Sequence, residues 1–281
     1  MRSVNILLAA GAATLLSSAA FAADLGVAPA PYYAPPPVEE FGGWYLRGDI
    51  GLSNQSVKNV RDTNSAAYNN VAVAQTGSFG SAGIYGGGVG YQFNNWLRAD
   101  VTGQYRGKSN FTGLDVIAGT GPFAGFVGTD NYTATKSELL FLANAYADLG
   151  TWWCITPFVG AGIGTARVSI ANFTDTGDFI NNGQNHSFNY AGEGSKWNFA
   201  WAVHAGLAYK VSPGLTLELA YSFVDLGSGI TGPTSSFDQV TNTTHAPFAF
   251  NNIISNDVTL GLRWELNSPP VYAPPPLVRK G

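Results

Sequence analysis

The chain is predicted to be all-β and to close into an eight-stranded antiparallel up-and-down transmembrane β-barrel. Three observations predict this. Eight segments alternate between apolar and polar residues, and long polar loops and very short turns join them in strict succession. The polar phase also carries charges, as expected of strands with lipid outside and a polar lumen inside. Composition agrees: only 11% of residues are charged, while 35 glycines and 13% aromatics suit closely approaching strands and aromatic girdles. A soluble sandwich would alternate too, but the charged inner phases described below are hard to place in a dry core.

The chain opens with a secretory signal. Arg2 is the basic n-region, residues 4–16 form an apolar h-region, and Ala20-Phe21-Ala22 is a small-x-small cleavage site, so the mature chain is expected to begin at Ala23-Asp24. Cleavage removes Arg2 and leaves 13 basic against 18 acidic residues, a mature net charge of −5. No basic surface for nucleic acid is implied. The single cysteine, Cys154, lies far from the cleavage site, so it is neither a lipidated first residue nor half of an internal disulfide. No apolar stretch after the signal has the roughly 18–20 residues of a transmembrane helix.

Strand one, residues 43–52, sets Trp44, Leu46, Ile50 and Leu52 on one face and Tyr45, Arg47 and Asp49 on the other. A one-residue slip would put two charges in lipid, so the register is strongly specified. A loop over about 53–78 follows, then a glycine-rich strand near 79–93 and a tight turn at Asn94-Asn95. Strand three alternates most cleanly, with Leu97, Ala99, Val101, Gly103 and Tyr105 outward and Arg98, Asp100, Thr102, Gln104 and Arg106 inward. After a second long loop, strand four covers about 135–149, with Leu139, Phe141, Ala143 and Leu149 outward and Glu138, Asn144, Tyr146 and Asp148 inward. Residues 150–154 turn the chain and offer Trp152 and Trp153 to a girdle. Strand five covers 155–168. Strand six points Trp197, Phe199, Trp201, Val203, Leu207 and Tyr209 outward and Lys196, His204 and Lys210 inward. Ser212-Pro213-Gly214 leads to strand seven, with Leu217, Leu219 and Tyr221 outward and Glu218 inward. A last loop over about 227–255 precedes strand eight, where Val258, Leu260, Leu262 and Trp264 face out and Arg263 and Glu265 face in.

Four segments follow: signal peptide 1–22, a Pro-rich periplasmic segment 23–41, the barrel 42–266 and a Pro-rich periplasmic tail 267–281. An even strand count puts both termini on one side. Outer-membrane barrels keep short turns in the periplasm, so both termini are expected there, with loops centred near residues 65, 120, 182 and 241 at the cell surface. Tyr33-Ala-Pro-Pro-Pro37 and Tyr272-Ala-Pro-Pro-Pro276 favour stiff polyproline spacers.

The segments Gly43-Trp-Tyr-Leu-Arg-Gly-Asp-Ile-Gly51, Thr156-Pro-Phe-Val-Gly-Ala-Gly-Ile-Gly164 and Leu217-Glu-Leu-Ala-Tyr-Ser-Phe-Val-Asp-Leu-Gly227 resemble the small outer-membrane barrels related to the OmpA membrane domain, in particular the RopB-like proteins of alphaproteobacteria. The resemblance covers about residues 41–267 and rests on fold motifs. Thr259-Leu-Gly-Leu-Arg-Trp-Glu-Leu266 resembles the signal read by the barrel-assembly machinery, departing from it in its terminal leucine and the 15 residues that follow. The resemblance implies insertion by that machinery into a Gram-negative outer membrane, among lipid and lipopolysaccharide. Some similar barrels are joined to peptidoglycan through a mature Ala-Asp terminus, which implies Ala23 and Asp24 as a possible attachment point.

Eight strands enclose an interior just wide enough for side chains. Arg47, Asp49, Arg98, Asp100, Glu218, Arg263 and Glu265 fall in neighbouring inner layers, with Arg106, Glu138, Arg167 and Lys196 nearer the outside. Mixed signs at matched depths predict paired charges filling the lumen, because an unpaired buried charge costs several kcal/mol. The reading is a structural, envelope-integrity barrel; a narrow porin-like channel, or an adhesin or haem-type ligand binder, are the alternatives. Phe173, Phe179, Phe188, Tyr190, Phe237, Phe248 and Phe250 in the loops could be displayed for recognition or packed between loops. No enzyme is expected: His186-Ser187 and His245 lack a nearby acidic partner in sequence, and His204 points into the lumen. Three scattered histidines and one cysteine show no metal-ligand spacing, and no cofactor is implied.

Overall fold

The computed structural model describes residues 42–64, 69–180, 184–237 and 242–266. The signal, both Pro-rich segments, the cleavage pair Ala22 and Ala23, and Asp24 lie outside the described residues.

Among the described residues twelve strands occur in chain order: β1 Gly43–Asp62, β2 Val71–Phe79, β3 Ala82–Gln92, β4 Leu97–Gly119, β5 Val127–Asp148, β6 Ile155–Ile180, β7 Gln184–Ala191, β8 Gly194–Ser212, β9 Leu215–Ile230, β10 Thr234–Phe237, β11 Asn242–His245 and β12 Phe248–Glu265. Eight of them close a ring: β1 pairs with β3, then β4, β5, β6, β8, β9 and β12 follow, and β12 returns to β1, every pair antiparallel. Closure leaves no edge in the ring, the condition for β-structure in lipid. The other four strands lie outside it. β2 pairs with β4, while β7 pairs with β6 and carries β10 and then β11.

The predicted phases hold. Ile50, Leu52, Val89, Val101, Phe141, Val159, Ile163, Phe199, Leu207, Leu219, Leu260 and Trp264 are all exposed. In water that surface would be untenable; around a ring of strands it is the lipid-facing band. The short connections sit at one end. At the first, Asn94 Oδ1 accepts from the backbone N–H groups of Trp96 (3.0 Å) and Leu97 (2.8 Å), the side-chain turn that asparagine favours.

The long loops are corrected. The described residues within 53–78, 107–134, 169–193 and 227–255 are mostly strand: the arms of β1, β4, β5, β6, β9 and β12 run on into tall hairpins, and four extra strands widen them. Crossing lipid takes about 9–11 tilted residues, matching Ile155 to Ile163 on β6; the remainder of this 26-residue strand stands beyond the band. Asparagines with left-handed backbone help the chain re-phase. Asn172 has φ 51° and Asn252 φ 53°, each where strand register shifts. Such bulges exchange the two faces, so Phe173 on β6 and Phe248 and Phe250 on β12 point inward, out of parity with the inward residues on the other side of each bulge. Val168 and Ile170 point inward without one, because there the apolar residues have moved to the phase that faced the lumen from Phe158 on.

Candidate functional site

The interior is stacked in layers. Nearest the short turns, Glu218 (β9) lies among three guanidinium groups, 3.4 Å from Arg98 Nη1, 3.2 Å from Arg263 Nη1 and 3.6 Å from Arg47 Nη2. Arg98 also meets Asp148 at 3.2 Å and stacks over the rings of Tyr146 and Phe158 at 4.2 and 4.7 Å. Arg47 pairs with Asp49 (2.8 Å) and Asp100 (2.9 Å) and donates to Tyr146 Oη (3.1 Å). Tyr45 donates to Asp100 at 3.0 Å, and Asn144 donates to the other oxygen of Asp100 at 2.8 Å. Alternating signs within ion-pair reach are what make these buried charges tolerable; around Glu218 the attraction is coulombic, since its Oε1 and the facing Arg98 and Arg263 Nη1 atoms form no hydrogen bond among the described residues. Glu265 is half-buried at the rim, beside the turn that its backbone N–H reaches at Gly214.

Glycines in the facing strands make room for the two tyrosines. A Cβ on Gly90 would stand 2.2 Å from the Tyr45 ring, and one on Gly160 would stand 2.4 Å from that of Tyr146. Gly90 of β3 is thus the complement of the Tyr45 ring lying across it, whereas Gly86 and Gly88 lie against Gln104 and Thr102 of β4.

The next layer pairs Arg106 with Asp257 at 2.6 Å and, through Ser255, at 3.0 Å. Beside it Lys136 binds Glu138 and Gln55, while Gln55 donates to Glu138 at 2.9 Å. The predicted Arg106 and Glu138 are therefore in the lumen, but their partners Asp257 and Lys136 are new. The signal for them was present: Lys136-x-Glu138 and Ser255-x-Asp257 share a face by period two. His204 sits between these layers; its Nε2 lies 3.2 Å from Asn144 Oδ1, which can only accept, and its Nδ1 is hydrogen-bonded to Ser222 Oγ at 2.7 Å. The space left around it is about 20 Å³, room for one water. Arg167 and Lys196 are corrected: Arg167 is half-buried on the outward phase and donates to Ser195 Oγ, while exposed Lys196 donates to Ser228 Oγ.

Above Lys136 the lumen turns apolar. The Lys136 ammonium lies 4.5 Å from the Phe79 ring centroid. Phe79, Phe111, Phe173, Phe248, Phe250 and Tyr132 then pack as one aromatic cluster, ring centroids 4.8–6.3 Å apart, walled by Val60, Val168, Ile170, Leu226 and Ile253. An entirely polar lumen was the expectation. The difference follows from height: beyond the lipid band the outer face meets water, so the apolar residues face inward as in any soluble core.

Three of the loop aromatics, Phe173, Phe248 and Phe250, are thus core. Phe188, Tyr190 and Phe237 are 42–43% exposed, with Phe188 directly opposite Phe237 across β7 and β10 and stacked on Tyr190. His186, expected to lack an acid, pairs through Nδ1 with Asp178 Oδ1 on the exposed outer face. Among the described residues no three His, Cys, Asp or Glu side chains are grouped to hold a metal ion.

A closed ring with a lipid-facing band outside and neutralised charges inside defines a membrane-spanning barrel protein of the bacterial outer membrane. The description of the outer membrane protein beta-barrel domain matches residues 8–265, and the chain belongs to that family. It is 32% identical over 232 residues to an uncharacterised protein of Brucella suis biovar 1, covering 75% of this chain and 78% of that one. It is 27% identical over 270 residues to a Rickettsia bellii protein named as a candidate adhesin, covering 93% and 98%. Among solved structures, neisserial surface protein A aligns over 81% of this chain and 100% of its own at 15% identity, with a TM-score of 0.42.

Proposed function

We propose that this protein is a non-conducting, non-catalytic barrel of the outer membrane, with its short turns and termini in the periplasm and its tall hairpins at the cell surface. Its role is structural within the envelope, and the hairpin tier is the surface through which it meets other molecules. The single observation that carries this reading is the interior within the lipid band, filled by ion pairs and capped by an aromatic cluster, with about 20 Å³ left around His204; the larger cavity, about 180 Å³, lies to the side in the hairpin tier between β1 and β2. A permeation path needs continuous water, and a catalytic dyad needs a nucleophile or water held in a sheltered cleft. The His186–Asp178 pair is half exposed on an outer face and offers no such shelter.

Recognition at the tier is favoured by the paired aromatics Phe188, Tyr190 and Phe237, and by the relative named as a candidate adhesin. Cells carrying the intact chain are expected to bind surfaces or soluble ligands more strongly than cells carrying a form with all four hairpins shortened to the lipid band. Because the shortened form lacks the aromatic cluster, binding is compared per folded barrel, as counted by heat-modifiable mobility. Equal binding by the two would remove the recognition role and leave the structural one.

The Ala23-Asp24 terminus is proposed to join the barrel to peptidoglycan. Muramidase-digested sacculi should yield a peptide beginning at Ala23 with a muropeptide on its α-amino group. Recovery of the free amine alone would contradict the attachment.

A further inference from the structure

The hairpin tier holds one buried cluster that the sealed lumen does not use. Asp115 on β4 stands directly opposite Asp130 on β5, and Asp175 on β6 stands opposite Tyr132. Like charges directly opposed on a sheet are destabilising, and Asp115 and Asp175 are 1% and 3% exposed. The aromatic plug lies against them, since the Tyr132 ring stacks on Phe173 at 6.1 Å.

Hydrogen-bond valence shows what the cluster lacks. The Tyr132 hydroxyl contacts Asp115 Oδ2 at 3.1 Å and Asp130 Oδ2 at 3.4 Å. A phenol has one proton to donate, so both contacts are bonds only if one carboxyl is itself protonated and donates back. Asp175 accepts from Asn189 Nδ2 at 2.8 Å through Oδ2, while its buried Oδ1 has no hydrogen-bond partner among the described residues. A buried acceptor without a donor is costly; a proton on the carboxyl converts it to a donor.

We propose that Asp115, Asp130 and Asp175 are a proton-held latch that keeps the hairpin tier closed in acid and loosens it as the pH rises. The groups facing the cluster are few. From β1, Arg61 lies close enough to favour the charged form of Asp115, and Lys58 and Arg61 line, with Asp115 and Gln75, a cavity of about 180 Å³; from β2, Gln75 donates to Asp115 Oδ1 at 2.6 Å; from β5 comes Tyr132, and from β7 Asn189. Asp178 and His186 pair with each other on the exposed outer face.

Burial first, and then mutual repulsion, push Asp175 up to about 8 and Asp130 up to about 6; burial likewise raises Asp115 against its hydrogen bonds. Carboxyls raised in the folded state contribute their full stability below the ordinary range near pH 4. That stability is lost as the pH climbs through about 6 and then about 8. The strands that loosen are those outside the closed ring. β2 is tied to the cluster through Gln75, whose side chain also bonds both backbone groups of Val60, and β7 is tied through Asn189.

Hydrogen exchange of the full chain in lipid nanodiscs at pH 5.5 and 8.5, corrected for intrinsic rates, tests the latch. Segments 71–79 and 184–191 should lose protection by about tenfold or more at the higher pH, a tenfold change corresponding to one unit of proton linkage. Segment 97–105 in the lipid band should not change, which reports an intact barrel. Asp175→Asn and, independently, Asp130→Asn should keep 71–79 and 184–191 protected at both pH values. Equal protection in the wild type at the two pH values overturns the proposal, as does an undiminished pH dependence in both variants.

Discussion

Glu218→Ala is expected to cost the folded barrel about 3–5 kcal/mol, the range for removing one partner of a buried ion pair. Glu218 is shared by three cations, and they do not lose equally. Arg98 keeps Asp148, and Arg47 keeps Asp49 and Asp100, but Arg263 loses the carboxylate with which it pairs. The cost is therefore mainly one stranded guanidinium beside the Tyr45 ring, 5.5 Å away. Adding Arg263→Met should recover part of the loss, because removing both members of a buried pair is far less harmful than removing one. Urea titration of barrels folded into bilayers reads both effects. A midpoint unchanged by Glu218→Ala would mean that these charges are solvated and the lumen is wet.

Phe250→Ala should cost a comparable amount, about 3–5 kcal/mol, by a different route. Phe250 is fully buried, and its ring contacts Phe79, Phe111 and Phe173 with centroids at 6.1, 5.2 and 6.3 Å. Truncation removes a large apolar surface and leaves a cavity that rigid flanking strands cannot fill. The plug and the Glu218 cluster share no residue, so the two losses should add to within about 0.5 kcal/mol. A strongly non-additive double variant would show that the lumen and the tier unfold as one coupled core.

The lipid-crossing half of the molecule was legible because lipid imposes a single rule on every strand. Val101 and Leu219 face out, and Arg98, Asp100 and Glu218 are buried within, as period-two alternation requires. The hairpin tier was not legible for the opposite reason: there the apolar phase changes face. On β6 the apolar residues Val159, Ala161 and Ile163 point out, whereas Ala166, Val168 and Ile170 point in. In sequence the switch looks like the end of a strand. On β12 the bulge beside Asn252 conceals a further change, since Phe250 and Val258 share parity yet face opposite ways. Asn and Gly are frequent in these stretches, and such residues carry little strand propensity of their own. Pairing with neighbouring strands and burial of the aromatic cluster supply what composition does not.

The claim that the barrel is sealed is tested most directly by reconstituting the full chain into planar bilayers and recording current under voltage. No stable conductance of porin size is expected, because the ion-paired layers and the aromatic plug leave no continuous water path. Reproducible large channels, abolished by an agent that blocks the lumen, would contradict it.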